Sequence, residues 1–145
     1  MKKETKGTDY KSWASKQIEH LRAGDRDQID YDDVADELER LLSRLLQETE
    51  GGLCKLLEES LHVYCDSRGG CKTEVGTAQM RLLSLLRVRP GLRAALPELM
   101  ERAWPKALEE GRIYARQFGD RQPPQENPWS LDQLLDPDFD PREAS

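Results

Sequence analysis

The chain has 145 residues, of which 37% are apolar and 34% charged, and its formal net charge is −6. A chain of this length can bury one hydrophobic core without disulfides or metal, and its acidity disfavours nonspecific nucleic-acid binding. Leucine is the commonest apolar residue, aromatic residues make up only 6%, and β-branched runs are absent, a composition that predicts an all-α protein.

The first eight residues are polar and predict a disordered tail. A helix is expected from Asp9 to Ala23, because Tyr10, Trp13 and Leu21 recur at helical spacing. Asp9 is suited to cap its N-terminus, and Gly24 stands where a helix-ending glycine belongs.

A second helix is expected to open at Asp30. It carries an apolar face made of Tyr31, Val34, Leu38, Leu41, Leu42 and Leu45. Helical periodicity resumes from Leu53 to Leu61, but Gly51 and Gly52 intervene, and each glycine costs about 1 kcal/mol in a helix interior. We therefore predict a bend or break between Ser43 and Gly52.

A loop is expected at residues 66–70, followed by a helix over Thr77–Val88. The residues predicted to be buried on that helix are Met80, Leu82, Leu83 and Leu86. A long helix from Leu92 to Phe118 should be kinked or restarted at Pro97 and Pro105, and should close at Gly119.

The C-terminal segment begins with a polar linker at 120–128. A short helix follows, because Ser130 and Gln133 have capping-box spacing and Trp129 precedes them as a hydrophobic staple. Phe139 is expected to attach the tail to the bundle. The predicted fold is an antiparallel bundle of four to five main helices over 9–119, with the short helix and tail of 129–145 packed on it.

The order of several short motifs resembles the bacterial domain-of-unknown-function 29 family. These motifs are an aromatic first helix, Ala35-Asp36-Glu37-Leu38-Glu39, Leu53 with Leu56-Leu57, Leu86 to Arg93, and Pro128-Trp129-Ser130-Leu131 with Leu134-Leu135-Asp136. The resemblance covers about residues 9–141 and implies an all-helical bundle without an established activity. The chain departs from the family pattern at Leu42, where Gly is usual, at Glu59, where His is frequent, and in its acidic loop with Asp66, Cys71 and Glu74.

Helix carboxylates are the first candidates for chemistry. Asp36 and Glu37, together with Glu59 and His62, contain residue types that ligate metals or exchange protons. Helical di-metal sites need Glu-x-x-His on two helices, whereas Glu59-x-x-His62 occurs once, so a solvated acidic face is the favoured interpretation. No catalytic residue, metal or cofactor is predicted.

The cysteines and arginines point to no specific site. Cys54, Cys65 and Cys71 are an odd set, typical of reduced thiols, and the spacing of His62, Cys65 and Cys71 is poor for zinc. An arginine cluster occurs near Pro90, formed by Arg81, Arg87, Arg89 and Arg93, but its neighbourhood also contains glutamates, which favours a mixed solvated face.

Three functions remain open at this point. A small helical module for protein–protein interaction, self-association or regulation is favoured, with Trp13 and Trp129 as candidate interface residues. A metal-dependent or hydrolytic enzyme using the helix carboxylates is the alternative, and a nucleic-acid-binding regulator is the third. The absence of a signal sequence or a long apolar segment predicts a cytoplasmic protein without membrane contact.

Overall fold

The computed structural model describes residues 5–68 and 72–143, and within these ranges it contains α-helices, two short 3₁₀ segments and no strand. The predicted all-α bundle is therefore confirmed. Its α-helices are α1 (Tyr10–Ala23), α2 (Tyr31–Cys65), α3 (Lys72–Val88), α4 (Leu96–Gln117) and α5 (Leu131–Leu135). The chain divides into an N-terminal unit, Met1–Arg44, and a C-terminal unit, Leu45–Ser145. No described helix is both long enough and apolar enough to cross a membrane.

Helix α1 has the ends that the sequence predicts. The Asp9 carboxylate accepts a hydrogen bond from the Ser12 amide at 3.1 Å, and Gly24 ends the helix in the left-handed conformation at φ 75°. Thr5 to Thr8, inside the segment predicted to be disordered, form a hydrogen-bonded turn. The predictions of both caps are confirmed, because each cap depends only on residues that are close in the sequence.

Helix α2 corrects one prediction, because it runs from Tyr31 to Cys65 without a break. Gly51 and Gly52 lie inside the helix, and the leucines that follow them, Leu53 and Leu56, are fully buried. This burial outweighs the low helix propensity of two glycines.

The C-terminal unit has one leucine-rich core shared by α2, α3, α4 and α5. Its fully buried large side chains include Leu53, Leu56, Leu57, Leu61, Leu82, Leu86 and Leu134. The predicted burial of Leu82 and Leu86 is confirmed. The predicted burial of Met80 is wrong: its side chain is 70% exposed, because the core face of α3 passes through Val75, Ala78 and Leu82 instead.

Helix α4 begins at Leu96, after a 3₁₀ segment at Pro90–Ala95, so Pro97 lies in its first turn as a helix restart requires. Pro105 stays inside the helix. Further along, Gly111 allows α4 to approach α2 closely, since a Cβ atom at Gly111 would lie 2.8 Å from Leu61 Cδ1.

The C-terminal segment folds as the sequence predicts. Ser130 and Gln133 form a capping box at the start of α5. Trp129 is buried with edge-on contacts to the rings of Tyr64, Trp104 and Phe139, at centroid distances of 6.1, 6.4 and 5.8 Å. Phe139 therefore attaches the tail to the core.

The C-terminal end of α2 is bound by residues that follow α4. The carbonyl oxygen of Cys65 accepts hydrogen bonds from the amides of Asp120 and Arg121 at 2.9 and 3.2 Å. The Asp120 carboxylate in turn accepts from the amide and hydroxyl of Ser67. These bonds satisfy a terminal helix carbonyl that has no intrahelical donor.

Candidate functional site

Asp36 and Glu37 lie in the N-terminal unit with different surroundings. The Glu37 carboxylate accepts a hydrogen bond from Tyr10 Oη at 2.8 Å and pairs with Lys6 at 3.1 Å and Arg40 at 3.2 Å. The hydrogen bonds from Tyr10 and Lys6 lower the pKa of Glu37. Asp36 is exposed. Through these contacts Glu37 on α2 binds α1 at Tyr10 and the preceding turn at Lys6, so its role here is structural.

Glu59 and His62 lie in the C-terminal unit and are brought together there. The Glu59 carboxylate contacts Lys55 Nζ at 2.7 Å and His62 Nδ1 at 3.5 Å, and the His62 ring stacks on Tyr114 with centroids 4.1 Å apart. A hydrogen bond to Glu59 raises the pKa of Lys55. The charged contacts lie within α2, and the ring stack of His62 on Tyr114 joins α2 to α4.

The structure describes two of the three cysteines, and both are free thiols. Burial raises the pKa of Cys54 to about 12 and that of Cys65 to about 11, so both are held in the protonated form. Cys71, the third member of the set with His62 and Cys65, lies outside the described residues. Across 5–68 and 72–143, no three His, Cys, Asp or Glu side chains are placed to hold a metal ion together.

The two tryptophans predicted to meet a partner do not lie on the surface. Trp13 is 4% exposed, and its indole nitrogen donates to the Asp30 carboxylate at 2.9 Å. Trp129 is 3% exposed. This burial corrects the prediction that the two rings form an interface, because each ring packs inside the chain. The exposed apolar side chains are those of other residues.

An apolar groove runs along the outer face of α3 and is here named the α3 groove. Its volume is about 970 Å³, within the usual range for ligand pockets. The lining residues are Leu45, Glu48, Thr77, Met80, Arg81, Ser84, Leu85, Val88, Arg89 and Leu92. The side chains of Met80 and Val88 are 70% and 77% exposed, so the most prominent apolar groups of α3 stand in this groove.

The hydroxyl groups that line the α3 groove are already hydrogen-bonded within their own helix. Thr77 Oγ1 donates to the Thr73 carbonyl at 3.0 Å, and Ser84 Oγ donates to the Met80 carbonyl at 2.8 Å. Their remaining surface toward the groove is largely aliphatic. A ligand of the groove therefore meets apolar groups in the middle and charges only at the rim.

The charged rim of the α3 groove consists of Arg81, Arg89 and Glu48. Among the described residues, none of these three side chains forms an ion pair. The rim is thus net positive, and its guanidinium donors are available to carboxylates of a ligand.

The sequence places Arg81 and Arg89 in a basic cluster but does not reveal the groove beside them. The available signal was the apolar content of α3, which exceeds one face: Val75, Leu82 and Leu86 point to the core, whereas Met80 and Val88 do not. If the helix had a single apolar stripe, Met80 would lie in the core, and Val88 would have no assigned role.

The family model for the domain of unknown function DUF29 matches residues 7–140. The chain belongs to this family. Neither the curated proteins nor the solved structures contain a match. The structure places both positions at which the sequence was expected to depart from the family pattern: Leu42 is an exposed helical residue, and Glu59 is buried with its carboxylate in contact with Lys55 and His62.

Proposed function

We propose that this DUF29 domain is a protein-interaction module that binds an acidic amphipathic helix in the α3 groove. The observation that carries the proposal is the combination of exposed Met80 and Val88 with the two arginines at the rim, Arg81 and Arg89. Helices commonly bind in grooves of this kind, with apolar anchors at i, i+3, i+4 and i+7.

The charges of the rim select the helix. Two guanidinium groups against one carboxylate favour a ligand that flanks its apolar stripe with Asp or Glu. The apolar contacts supply most of the affinity, and the arginines determine orientation and exclude basic helices. Binding of this kind is reversible, so one partner helix can be exchanged for another or its binding can be regulated. We assign this regulated binding of a partner protein to the domain as its role.

A designed peptide pair tests the proposal. Two helical peptides of about 18 residues, five turns, carry the same leucine stripe and differ only in Glu or Lys flanks. Fluorescence anisotropy with the full chain should show that the Glu peptide binds at least about tenfold more tightly than the Lys peptide, a difference of about 1.4 kcal/mol.

Two variants locate the binding site. Val88→Asp should abolish binding, and the double variant Arg81→Glu, Arg89→Glu should reverse the preference between the peptides. Ile113→Asp is the matched control, since Ile113 is 40% exposed on α4 and does not line the groove. Equal affinity for both peptides, or undiminished binding to the Val88→Asp protein, would refute the proposal.

A further inference from the structure

The N-terminal unit exposes most of its large apolar side chains. Ten such side chains are exposed among the described residues, and six of them belong to this unit; we name these six the hairpin face: Tyr10, Ile18, Leu21, Tyr31, Leu38 and Leu42. Among residues 5–44 of this unit, Trp13 is the one apolar side chain that is buried. A unit of this size that contains no cysteine for a disulfide gains stability from additional buried surface.

Helix α1 and the first half of α2 form an antiparallel hairpin. Tyr10 contacts Glu37, whereas Trp13 and Gln17, further along α1, contact Asp30 at the start of α2. Later residues of α1 therefore lie opposite earlier residues of α2, as in an antiparallel pair. The two helices meet through the edge of Trp13 on α1 and the edge of Glu37 on α2.

The hairpin face lies on one side of this hairpin. At about 100° per residue, the hairpin-face side chains of α1 lie roughly 60–140° around the helix from Trp13, and those of α2 lie roughly 100–140° from Glu37 in the same rotational sense. Because the two helices are antiparallel, equal rotation from their shared edge points to the same side. The six side chains therefore form one surface.

The two outer edges of the hairpin face carry opposite charges. Lys11 and Arg22 lie beyond the apolar stripe of α1, and Asp32 and Glu39 lie beyond that of α2. Within the described ranges, none of these four side chains forms an ion pair. One long edge is basic and the other acidic.

We infer that the hairpin face binds the same face of a second copy of this chain, forming a four-helix bundle. A twofold axis parallel to the helices places α1 of each copy on α2 of the other, so the basic edge meets the acidic edge on both sides. The alternative twofold, which places α1 on α1, opposes like charges. Both pairings make every neighbouring helix antiparallel, as in up-and-down bundles, so the edge charges are what distinguish them.

The surface is large enough for a reversible dimer. Six side chains that are about half exposed present roughly 600 Å² in each copy and roughly 1,200 Å² in the pair, at the lower limit of specific interfaces. The interaction is independent of the α3 groove, whose residues all belong to the C-terminal unit.

Sedimentation velocity of the full chain tests the inference between about 1 μM and 500 μM, the range of an interface at this lower limit. The mass should rise with concentration from 16.7 kDa toward twice that value. Leu38→Asp should remain monomeric and folded, since Leu38 is 61% exposed, whereas the groove variant Met80→Asp should dimerise like the wild type. A wild-type chain that stays monomeric at the highest concentration, or a Leu38→Asp dimer, would overturn the inference.

Charge exchange tests the orientation. The variant Lys11→Glu, Arg22→Glu has two acidic edges, and the variant Asp32→Lys, Glu39→Lys has two basic edges. Each should dissociate at least tenfold more readily than the wild type, and a mixture of the two should form a heterodimer. Unchanged self-association of both variants would exclude the pairing of α1 with α2.

Discussion

The glycine pair inside α2 allows a direct test of how the helix is stabilised. A Cβ atom at Gly51 would have no neighbour within 4 Å, and one at Gly52 would lie 3.5 Å from Leu82 Cδ1, an ordinary van der Waals distance. Replacing glycine by alanine in a helix interior gains about 0.8–1 kcal/mol. The double variant Gly51→Ala, Gly52→Ala should therefore raise the free energy of unfolding by about 1.5–2 kcal/mol.

Gly111→Ala is the matched control, because the same substitution in another helix should bring no gain in stability. The new methyl group would lie 2.8 Å from Leu61 Cδ1 and 3.2 Å from Leu61 Cβ, and Leu61 is fully buried. Overpacking costs about 1–3 kcal/mol, which exceeds or cancels the gain of about 1 kcal/mol in propensity.

Urea unfolding followed by far-UV circular dichroism measures all three proteins. A loss of stability in the double alanine variant would refute the conclusion that α2 is continuous and uncrowded at 51–52. A gain of about 1 kcal/mol in Gly111→Ala would refute the close approach of α4 to α2.

Three further predictions concern the C-terminal unit. Trp129→Ala should cost about 3–5 kcal/mol, whereas Trp129→Phe should cost no more than about 2 kcal/mol in urea unfolding, because it removes a buried indole donor without a partner among the described residues; equal costs would contradict this. A hydrogen bond from Ser67 lowers the pKa of Asp120, and one from Lys72 lowers the pKa of Asp140, so both carboxylates bind a proton more readily in the unfolded chain than in the folded one. The stability they contribute is present above about pH 4 and lost as the pH falls through the folded pKa values, so Asp140→Asn should flatten the dependence of unfolding free energy on pH below 4, and an unchanged slope would count against it. In a Cys71→Ser protein at about pH 8, Cys54 and Cys65 should resist a thiol reagent until urea unfolds the chain, since burial keeps both protonated; rapid labelling of the native protein would be inconsistent with their pKa values.

The predictable parts of the fold are those decided by near neighbours in the sequence. The Asp9 cap, the Gly24 end of α1 and the Ser130 capping box each depend on a few adjacent residues, and all are present. The break predicted near Gly51 and Gly52 is absent, because the stability of this segment comes from contacts with other helices. Local propensity carries no information on those contacts.

The candidate surfaces were harder to predict, because periodicity shows which residues share a helix face but not what covers that face. Helical periodicity correctly places Tyr31, Leu38 and Leu42 on one apolar stripe, yet the structure leaves all three more than half exposed. For Met80 the sequence placed an exposed residue in the core. Distinguishing a core face from a binding face requires the positions of the other helices.

The hydrogen bonds at the end of α2 have a consequence for the order in which the chain folds during synthesis. Ser67 and the Asp120 carboxylate that binds it are separated by 53 residues, and the donors to the Cys65 carbonyl come from the same distant segment. While the ribosome is still producing α3 and α4, the last turn of α2 must leave this carbonyl to water and can fray. The turn becomes fixed only when α4 has been completed and its following residues arrive, so a nascent chain truncated before Asp120 should show faster amide exchange at the C-terminal end of α2 than the full-length protein.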